Sequence, residues 1–197
     1  IAQDELLLES FLHGQDVHAR TAAEVFGVPL DEVTGTMRTR AKAVNFGIVY
    51  GISDFGLAKQ LDINRGEAGR YIENYLGRYT GVKKYMDDMV ASAKKQGYVQ
   101  TLFGRRRYLP DINSRNFNLR GFAERTAINT PIQGTAADII KIAMVNVQKM
   151  LEQGGYKSRI LLQVHDELLL EVTEAEREEV GALVKQTMES AVKLSVP

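Results

Sequence analysis

The chain has 197 residues, of which 44% are hydrophobic and 25% are charged, a composition typical of a globular protein. Lysine plus arginine equals aspartate plus glutamate at 25 each, so the zero net charge gives no global attraction to nucleic acid. The lack of cysteine excludes disulfides and thiolate metal sites, and no apolar run approaches the roughly 20 residues of a membrane-spanning helix.

The first half of the sequence predicts short helices separated by glycine and proline. After an opening helix from about Asp4 to Leu12, further helices are expected over residues 16–26, 34–50, 53–61, 65–79 and 82–96. Asn64 suits the N-cap of the helix over 65–79. Residues 98–103 and 105–109 flank Gly104 and predict a β-hairpin.

The second half predicts two long helices, over residues 118–128 and 131–153, with Pro131 in the first turn of the second. Two apolar strands are expected over 158–164 and 167–172, on either side of a polar tip. The run Thr173-Glu-Ala-Glu176 is a capping-box pattern that predicts the start of a final helix. A helical first part and an α/β second part are therefore expected, with a boundary near residues 110–120.

Arg38, Lys42, Phe46 and Tyr50 recur every four residues, so on a helix they form one slowly winding stripe. The stripe is cationic at one end and aromatic at the other, which suits a ligand with a phosphate chain and a flat ring, such as a nucleoside triphosphate. An amphipathic helix with its cations in solvent and its aromatic rings in the core fits the same spacing, and spacing alone favours it. Asn45 is the weakest candidate in this segment, because a local hydrogen bond also explains a polar residue there.

Asp166 and Glu167 lie between two apolar runs, at the expected tip of the second hairpin. Two carboxylates at the tip of a buried hairpin are costly unless a cation such as a metal ion compensates them. The alternative is an acidic turn that faces solvent, which composition alone favours.

The pattern Arg38-x3-Lys42-x3-Phe46-Gly-x2-Tyr50-Gly resembles the nucleotide-binding fingers helix of family A DNA polymerases. The resemblance runs from about Ile1 to Pro197 through four further motifs in the family order: Gly-Gln-Asp-Val-His18, Leu-Phe-Gly-Arg-Arg-Arg107-Tyr-Leu-Pro, Asn129-Thr-Pro-Ile-Gln133-Gly-Thr-Ala-Ala-Asp138 and Gln163-Val-His165-Asp166-Glu167. It implies a mostly helical α+β fold. Residues 1–117 would form the helical fingers subdomain with its palm junction, and residues 118–197 a partial palm with an antiparallel β-hairpin and flanking helices.

The resemblance implies template-directed DNA synthesis, in which deoxynucleotides are added to a primer 3′ end by two-metal phosphoryl transfer. Asp166 would hold the pair of catalytic Mg²⁺ ions, with Glu167 as an accessory metal carboxylate. A third catalytic residue would be Lys42, near the leaving pyrophosphate. The implied nucleotide-binding residues are His18 at the β-phosphate, Arg38 and Lys42 at the phosphates, Phe46 at the sugar and Tyr50 at the template base.

The resemblance also implies contacts to primer–template DNA, through Gly51, Arg107, Arg125, Asn129, Gln133, Gln163 and His165. Arginines would bind the phosphate backbone, a contact that is independent of sequence. Asn129 and Gln133 would read the minor groove, where base identity is mostly hidden, which suits an enzyme that copies any correct pair. Without the resemblance, a solvated basic strand edge explains Arg107, and an ordinary helical histidine explains His18.

The family places its other metal aspartate in a strand motif similar to Asp-Tyr-Ser-Gln-Ile-Glu, which this sequence does not contain. We therefore expect a fragment, with the fingers and part of the palm, that is inactive alone. Its expected partners are primer–template DNA and deoxynucleoside triphosphates, and it is expected to be a cytoplasmic, nucleoid-associated monomer away from membranes. Two other functions remain open, a non-catalytic DNA- or nucleotide-binding module and a structural domain without a ligand.

Overall fold

The computed structural model describes residues 1–196. Within them lie eight α-helices and two separate two-stranded antiparallel sheets, which confirms the predicted mostly helical α+β fold. The chain divides into two compact units, one formed by Ile1–Ile132 with Ser195 and Val196, the other by Gln133–Leu194. The fingers and palm boundary expected at residues 117 and 118 stays a prediction.

Six helices precede the first hairpin, and their bounds agree with the predicted ones to within two residues at each end. They are α1 (Glu5–Leu12), α2 (Val17–Phe26), α3 (Gly35–Val49), α4 (Asp54–Leu61), α5 (Arg65–Arg78) and α6 (Thr80–Gln96). The first five each begin after a residue whose side chain accepts a backbone N–H of the first turn, and these caps are Asp4, Asp16, Thr34, Ser53 and Asn64.

The core of the first unit lies among α2, α3, α4 and α5, where Val25, Val44, Leu57 and Tyr75 are buried together. Burial of apolar side chains stabilises a fold by about 25 cal/mol per Å² of apolar surface. Such burial is the main source of stability for helices this short. Because α3 turns one side to this core, its other side faces solvent.

The first hairpin pairs β1 (Tyr98–Gln100) with β2 (Arg106–Tyr108), and Tyr98 lies opposite Tyr108. The predicted hairpin is confirmed, with shorter strands than expected. Val99 packs in a separate apolar cluster with Leu109 and Ile112.

A single helix of 38 residues, α7 (Phe117–Gly154), replaces the two predicted helices and holds Pro131 in its interior. The prediction that Pro131 starts a second helix is wrong. An interior proline removes one backbone hydrogen bond and costs about 3 kcal/mol. Buried side chains on both sides of it, such as Ala127, Ile128 and Val147, offset that cost and keep the helix continuous.

In the second unit β3 (Arg159–Val164) pairs with β4 (Glu167–Glu171), and α8 (Arg177–Glu189) follows. Val180 of α8 packs on Val147 and Leu151. The predicted capping box at Thr173 is wrong, because a 3₁₀ turn at Glu174–Glu176 comes first and the Thr173 side chain makes no capping bond. The carboxylate of Glu176 instead accepts the backbone N–H groups of residues 157 and 158.

No helix within residues 1–196 combines the length and the apolar character that crossing a membrane requires.

Candidate functional site

The stripe predicted from the sequence lies on the solvent side of α3. Phe46 and Tyr50 are 49% and 51% exposed, whereas Ala41, Val44 and Ile48 on the other side are buried. The alternative with both aromatic rings in the core is therefore wrong. The helix presents two cations and two aromatic rings to solvent in chain order.

At the cationic end, Arg38 is held by Asp16, the residue that caps α2. Arg38 Nε donates to Asp16 Oδ2 at 2.6 Å, while Asp16 Oδ1 accepts the backbone N–H groups of His18 and Ala19 at 2.9 and 3.0 Å. The hydrogen bond from Arg38 is the largest cause that lowers the pKa of Asp16, followed by the bond from Ala19. One carboxylate thus joins the start of α2 to the first turn of α3.

His18 lies beside the stripe and is joined to α3 by Asn45. Asn45 Nδ2 lies 3.0 Å from His18 Nδ1 and 3.1 Å from Thr21 Oγ1, and Thr21 Oγ1 is 3.4 Å from the Tyr79 hydroxyl. Asn45 is 9% exposed, and Thr21 and Tyr79 are fully buried. Asn45 is therefore a cross-helix residue, and the local hydrogen bond that the sequence suggested does not explain it.

The middle of the stripe brings His18, Lys42 and Phe46 together. Lys42 Nζ lies 5.8 Å from the centre of the Phe46 ring, and the His18 and Phe46 ring centres are also 5.8 Å apart. Burial lowers the pKa of His18, the Asp16 carboxylate raises it, and the positive charges of Arg38 and Lys42 lower it further. The net direction is downward, which favours a neutral imidazole near neutral pH.

The aromatic end of the stripe opens on a pocket of about 570 Å³ next to α7. Its lining includes Phe46, Tyr50, Gly51, Gln60 and Arg125. Gly51 has φ of +68°, and a Cβ atom there would lie 2.8 Å from Arg125 Cγ, so the close approach of this arginine requires glycine. The structure thus joins the predicted residues Tyr50, Gly51 and Arg125 at one pocket.

Arg107 lies on the exposed strand β2, opposite Val99 of β1. Its neighbour Arg106 stacks on Tyr98, with Cζ 4.6 Å from the ring centre. The role of Arg107 as a phosphate contact stays a prediction.

Asn129 and Gln133 both lie on α7, four residues apart. The Asn129 amide nitrogen is buried and has no hydrogen-bond partner within residues 1–196. A buried donor without a partner costs about 1–3 kcal/mol of folding free energy.

Gln163, His165, Asp166 and Glu167 lie in the second unit, at the tip of the β3–β4 hairpin. Val164 pairs with Glu167, which leaves His165 and Asp166 as a two-residue turn with His165 at φ of +51°. Gln163 Nε2 donates to the His165 carbonyl and tightens this turn. Both carboxylates are exposed, and so are Leu161, Leu162, Val164 and Leu169 of the strands, so the expected burial of the hairpin is not found within the described residues.

The two carboxylates provide the hard oxygen ligands that Mg²⁺ prefers, and Mg²⁺ often keeps several waters. Within residues 1–196, no three side chains of histidine, aspartate or glutamate converge into a complete metal site. Asp166 and Glu167 therefore fit part of a magnesium site.

Asp16, Thr21 and Tyr79 are the site residues that sequence reasoning did not single out. Asp16 carries a signal in its cap position two residues before His18, but its ion pair with Arg38 spans 22 residues. The contact of Thr21 with Tyr79 spans 58 residues and leaves no local pattern.

Comparisons with known proteins identify the family of this chain. The sequence matches the model of DNA polymerase family A over residues 1–197. It is 60% identical to DNA polymerase I of Streptococcus pneumoniae and 57% identical to that of Geobacillus stearothermophilus, in each case over 100% of this chain. The chain spans 23% and 22% of the lengths of these two relatives.

The fold matches that of a solved polymerase domain, the POL domain of Pol1 from M. smegmatis in complex with DNA primer-template and dNTP. The TM-score is 0.92 at 50% sequence identity, and the match covers 100% of this chain and 35% of the other. The family match and these identities run the full length of the sequence. The chain therefore belongs to DNA polymerase family A.

Proposed function

We propose that this chain is the fingers and part of the palm of a template-directed DNA polymerase. The complete enzyme adds deoxynucleotides to a primer 3′ end, and the first compact unit binds the incoming nucleotide. The observation that carries the proposal is the exposed stripe on α3, with cations at one end and aromatic rings at the other.

The cationic end binds the triphosphate. Arg38 contributes a guanidinium that Asp16 already orients, and Lys42 contributes a compact charge near the leaving pyrophosphate. His18, beside them, binds the β-phosphate. Such groups stabilise the charge of the transferring phosphoryl group and need form no covalent bond to it.

The aromatic end binds the sugar and the templating base. Phe46 packs against the sugar, and Tyr50 stacks at the template base. The pocket beside Tyr50, which Gly51 and Arg125 also line, has a volume of about 570 Å³ and provides space for a base. Arg125 and Arg107 bind DNA phosphates without reading sequence.

Asn129 and Gln133 contact the minor groove of the primer–template pair. Every base pair presents acceptors there, at purine N3 or pyrimidine O2. Because the amide nitrogen of Asn129 is buried, its side chain turns outward in this proposal to donate to such an acceptor. Gln163 and His165 lie near the primer end in this proposal.

Asp166 and Glu167 hold two Mg²⁺ ions together with ligands from outside these 197 residues. Bound there, the ions supply charge stabilisation to the phosphoryl group. The chain spans only 23% of a relative such as the S. pneumoniae polymerase. The remaining metal ligands are therefore expected in parts of the enzyme that these 197 residues do not include. The 197-residue chain alone is therefore inactive. In this proposal the whole enzyme acts as a monomer on nucleoid DNA in the cytoplasm.

The proposal is tested by a chimera in which this chain replaces the matching segment of the G. stearothermophilus polymerase, to which it is 57% identical. The chimera is expected to extend a primer in the presence of Mg²⁺. Asp166→Asn in the chimera is expected to abolish extension and to leave primer–template binding intact. Nucleotide binding by a chimera that never extends a primer would favour the rival function, a non-catalytic binding module.

A further inference from the structure

We propose that Asn45 is a positioning residue that holds His18 in the neutral tautomer with its proton on Nε2. This tautomer makes Nε2 a hydrogen-bond donor on the side of the imidazole away from Asn45. The use of this donor to bind nucleotide phosphates rests on the proposed function, whereas the tautomer itself does not.

The first step is the contact between Asn45 and His18. Asn45 Nδ2 and His18 Nδ1 are 3.0 Å apart, an ordinary hydrogen-bond length. An amide nitrogen only donates, so Nδ1 accepts and carries no proton. A neutral imidazole has one N–H, which must then lie on Nε2.

The second step is the anchoring of Asn45. Its amide nitrogen also lies 3.1 Å from Thr21 Oγ1, and its Oδ1 lies 3.2 Å from the same hydroxyl. Thr21 in turn contacts the Tyr79 hydroxyl at 3.4 Å. All three side chains are buried, so they exchange hydrogen bonds with one another in place of water.

The third step is the charge around His18. Asp16 lies just before α2, and Arg38 and Lys42 of α3 are the cations whose charges act on the ring. Partial burial and the two cations lower the pKa of His18 and so oppose a second proton on the ring, while Asp16 favours one. Protonation of Nδ1 would also bring an N–H against the Asn45 N–H and break their hydrogen bond.

The consequence for a phosphate ligand follows from donor geometry. Phosphate oxygens only accept hydrogen bonds, so a neutral His18 binds them through Nε2–H and repels them in the opposite tautomer. Asn45→Asp keeps the size of the side chain but offers only acceptors, which favours a proton on Nδ1.

The tautomer is measured by two-bond ¹H–¹⁵N correlation spectra of the histidine-labelled 197-residue chain, with His18→Gln to assign the signals. The wild type is expected to show the Nε2–H pattern. Asn45→Asp is expected to place a proton on Nδ1, and the exposed Asn118→Asp serves as the matched control without effect. An Nδ1–H pattern in the wild type overturns the proposal, even where the Asn45 variant does not fold.

The positioning role is measured by titration with a deoxynucleoside triphosphate. Asn45→Asp is expected to weaken binding at least tenfold relative to the wild type, and Asn118→Asp is expected to bind as the wild type does. A changed tautomer with unchanged affinity overturns the positioning role. A wild-type chain that binds no nucleotide overturns the proposed function instead, while the spectra still decide the tautomer.

Discussion

Asp16 accepts a 2.6 Å hydrogen bond from Arg38 Nε through one carboxylate oxygen and caps helix α2 with the other. The carboxylate therefore has two roles, one in local helix stability and one in the orientation of a cation on the neighbouring helix. The cap is expected to contribute more to the free energy of unfolding than the ion pair does, because the ion pair is half exposed to solvent.

Replacing Asp16 by alanine is expected to lower the free energy of unfolding by about 1–2 kcal/mol, because it removes the cap of α2. Arg38→Ala is expected to cost less than about 1 kcal/mol, since exposed ion pairs contribute little. Asp16→Asn keeps a capping oxygen and should lie between the two. Urea denaturation of the three variants checks this order, and an Arg38 variant as unstable as Asp16→Ala would contradict it.

Lowering the pH is expected to reduce the contribution of Asp16 to the free energy of unfolding. Its pKa is lowered in the folded protein by the bond from Arg38, so the unfolded chain binds more protons between the folded value and the ordinary value near 3.9. The stability that the charged carboxylate adds is therefore complete above about pH 4 and is lost as the pH falls through the folded pKa. The difference in unfolding free energy between the wild type and Asp16→Asn, measured from pH 6 downward, should shrink below pH 4. A difference that stays constant would show that the charge of Asp16 does not matter.

Gly51→Ala is expected to destabilise the first unit by at least about 1 kcal/mol. Alanine is strained at φ of +68°, and its Cβ would lie 2.8 Å from Arg125 Cγ. The matched control is Gly69→Ala in α5, where a Cβ meets nothing within 4 Å and where alanine favours the helix by about 0.5–1 kcal/mol. Thermal melting of both variants should show opposite shifts, and two shifts of the same sign would contradict this account of Gly51.

Asn129→Leu separates folding from DNA binding. The amide nitrogen is buried without a partner within residues 1–196, so an apolar side chain of similar size should leave the protein at least as stable. In the chimeric polymerase the same change should weaken primer–template binding, because the minor-groove donor is lost. A strongly destabilised variant would mean that the Asn129 side chain is already satisfied by the protein.

Local and periodic features could be predicted from the sequence. Asn64 was expected to cap its helix and does so, because an N-cap bond spans only three residues. The stripe from Arg38 to Tyr50 was also predictable, since four-residue spacing alone places these side chains on one side of a helix. Its exposure was not predictable from spacing, because spacing alone favours a helix with its aromatic rings in the core.

The features that were missed depend on distant parts of the chain. Pro131 was expected to start a helix, but burial on both sides of it outweighs the local preference. The capping box at Thr173 fails because the Glu176 carboxylate bonds to Ser158, 18 residues away. Asn45 was undervalued for the same reason, since its partner His18 is 27 residues distant.

The central claim is that the α3 stripe binds the triphosphate of a deoxynucleotide, and Lys42→Ala tests it most directly. Fluorescence titration of the 197-residue chain with a labelled deoxynucleoside triphosphate should show at least tenfold weaker binding for Lys42→Ala. The control Lys95→Ala removes another exposed positive charge, from α6 and outside the stripe, and should bind as the wild type does. Equal affinity in the wild type and in Lys42→Ala would contradict the claim, as would no binding by either.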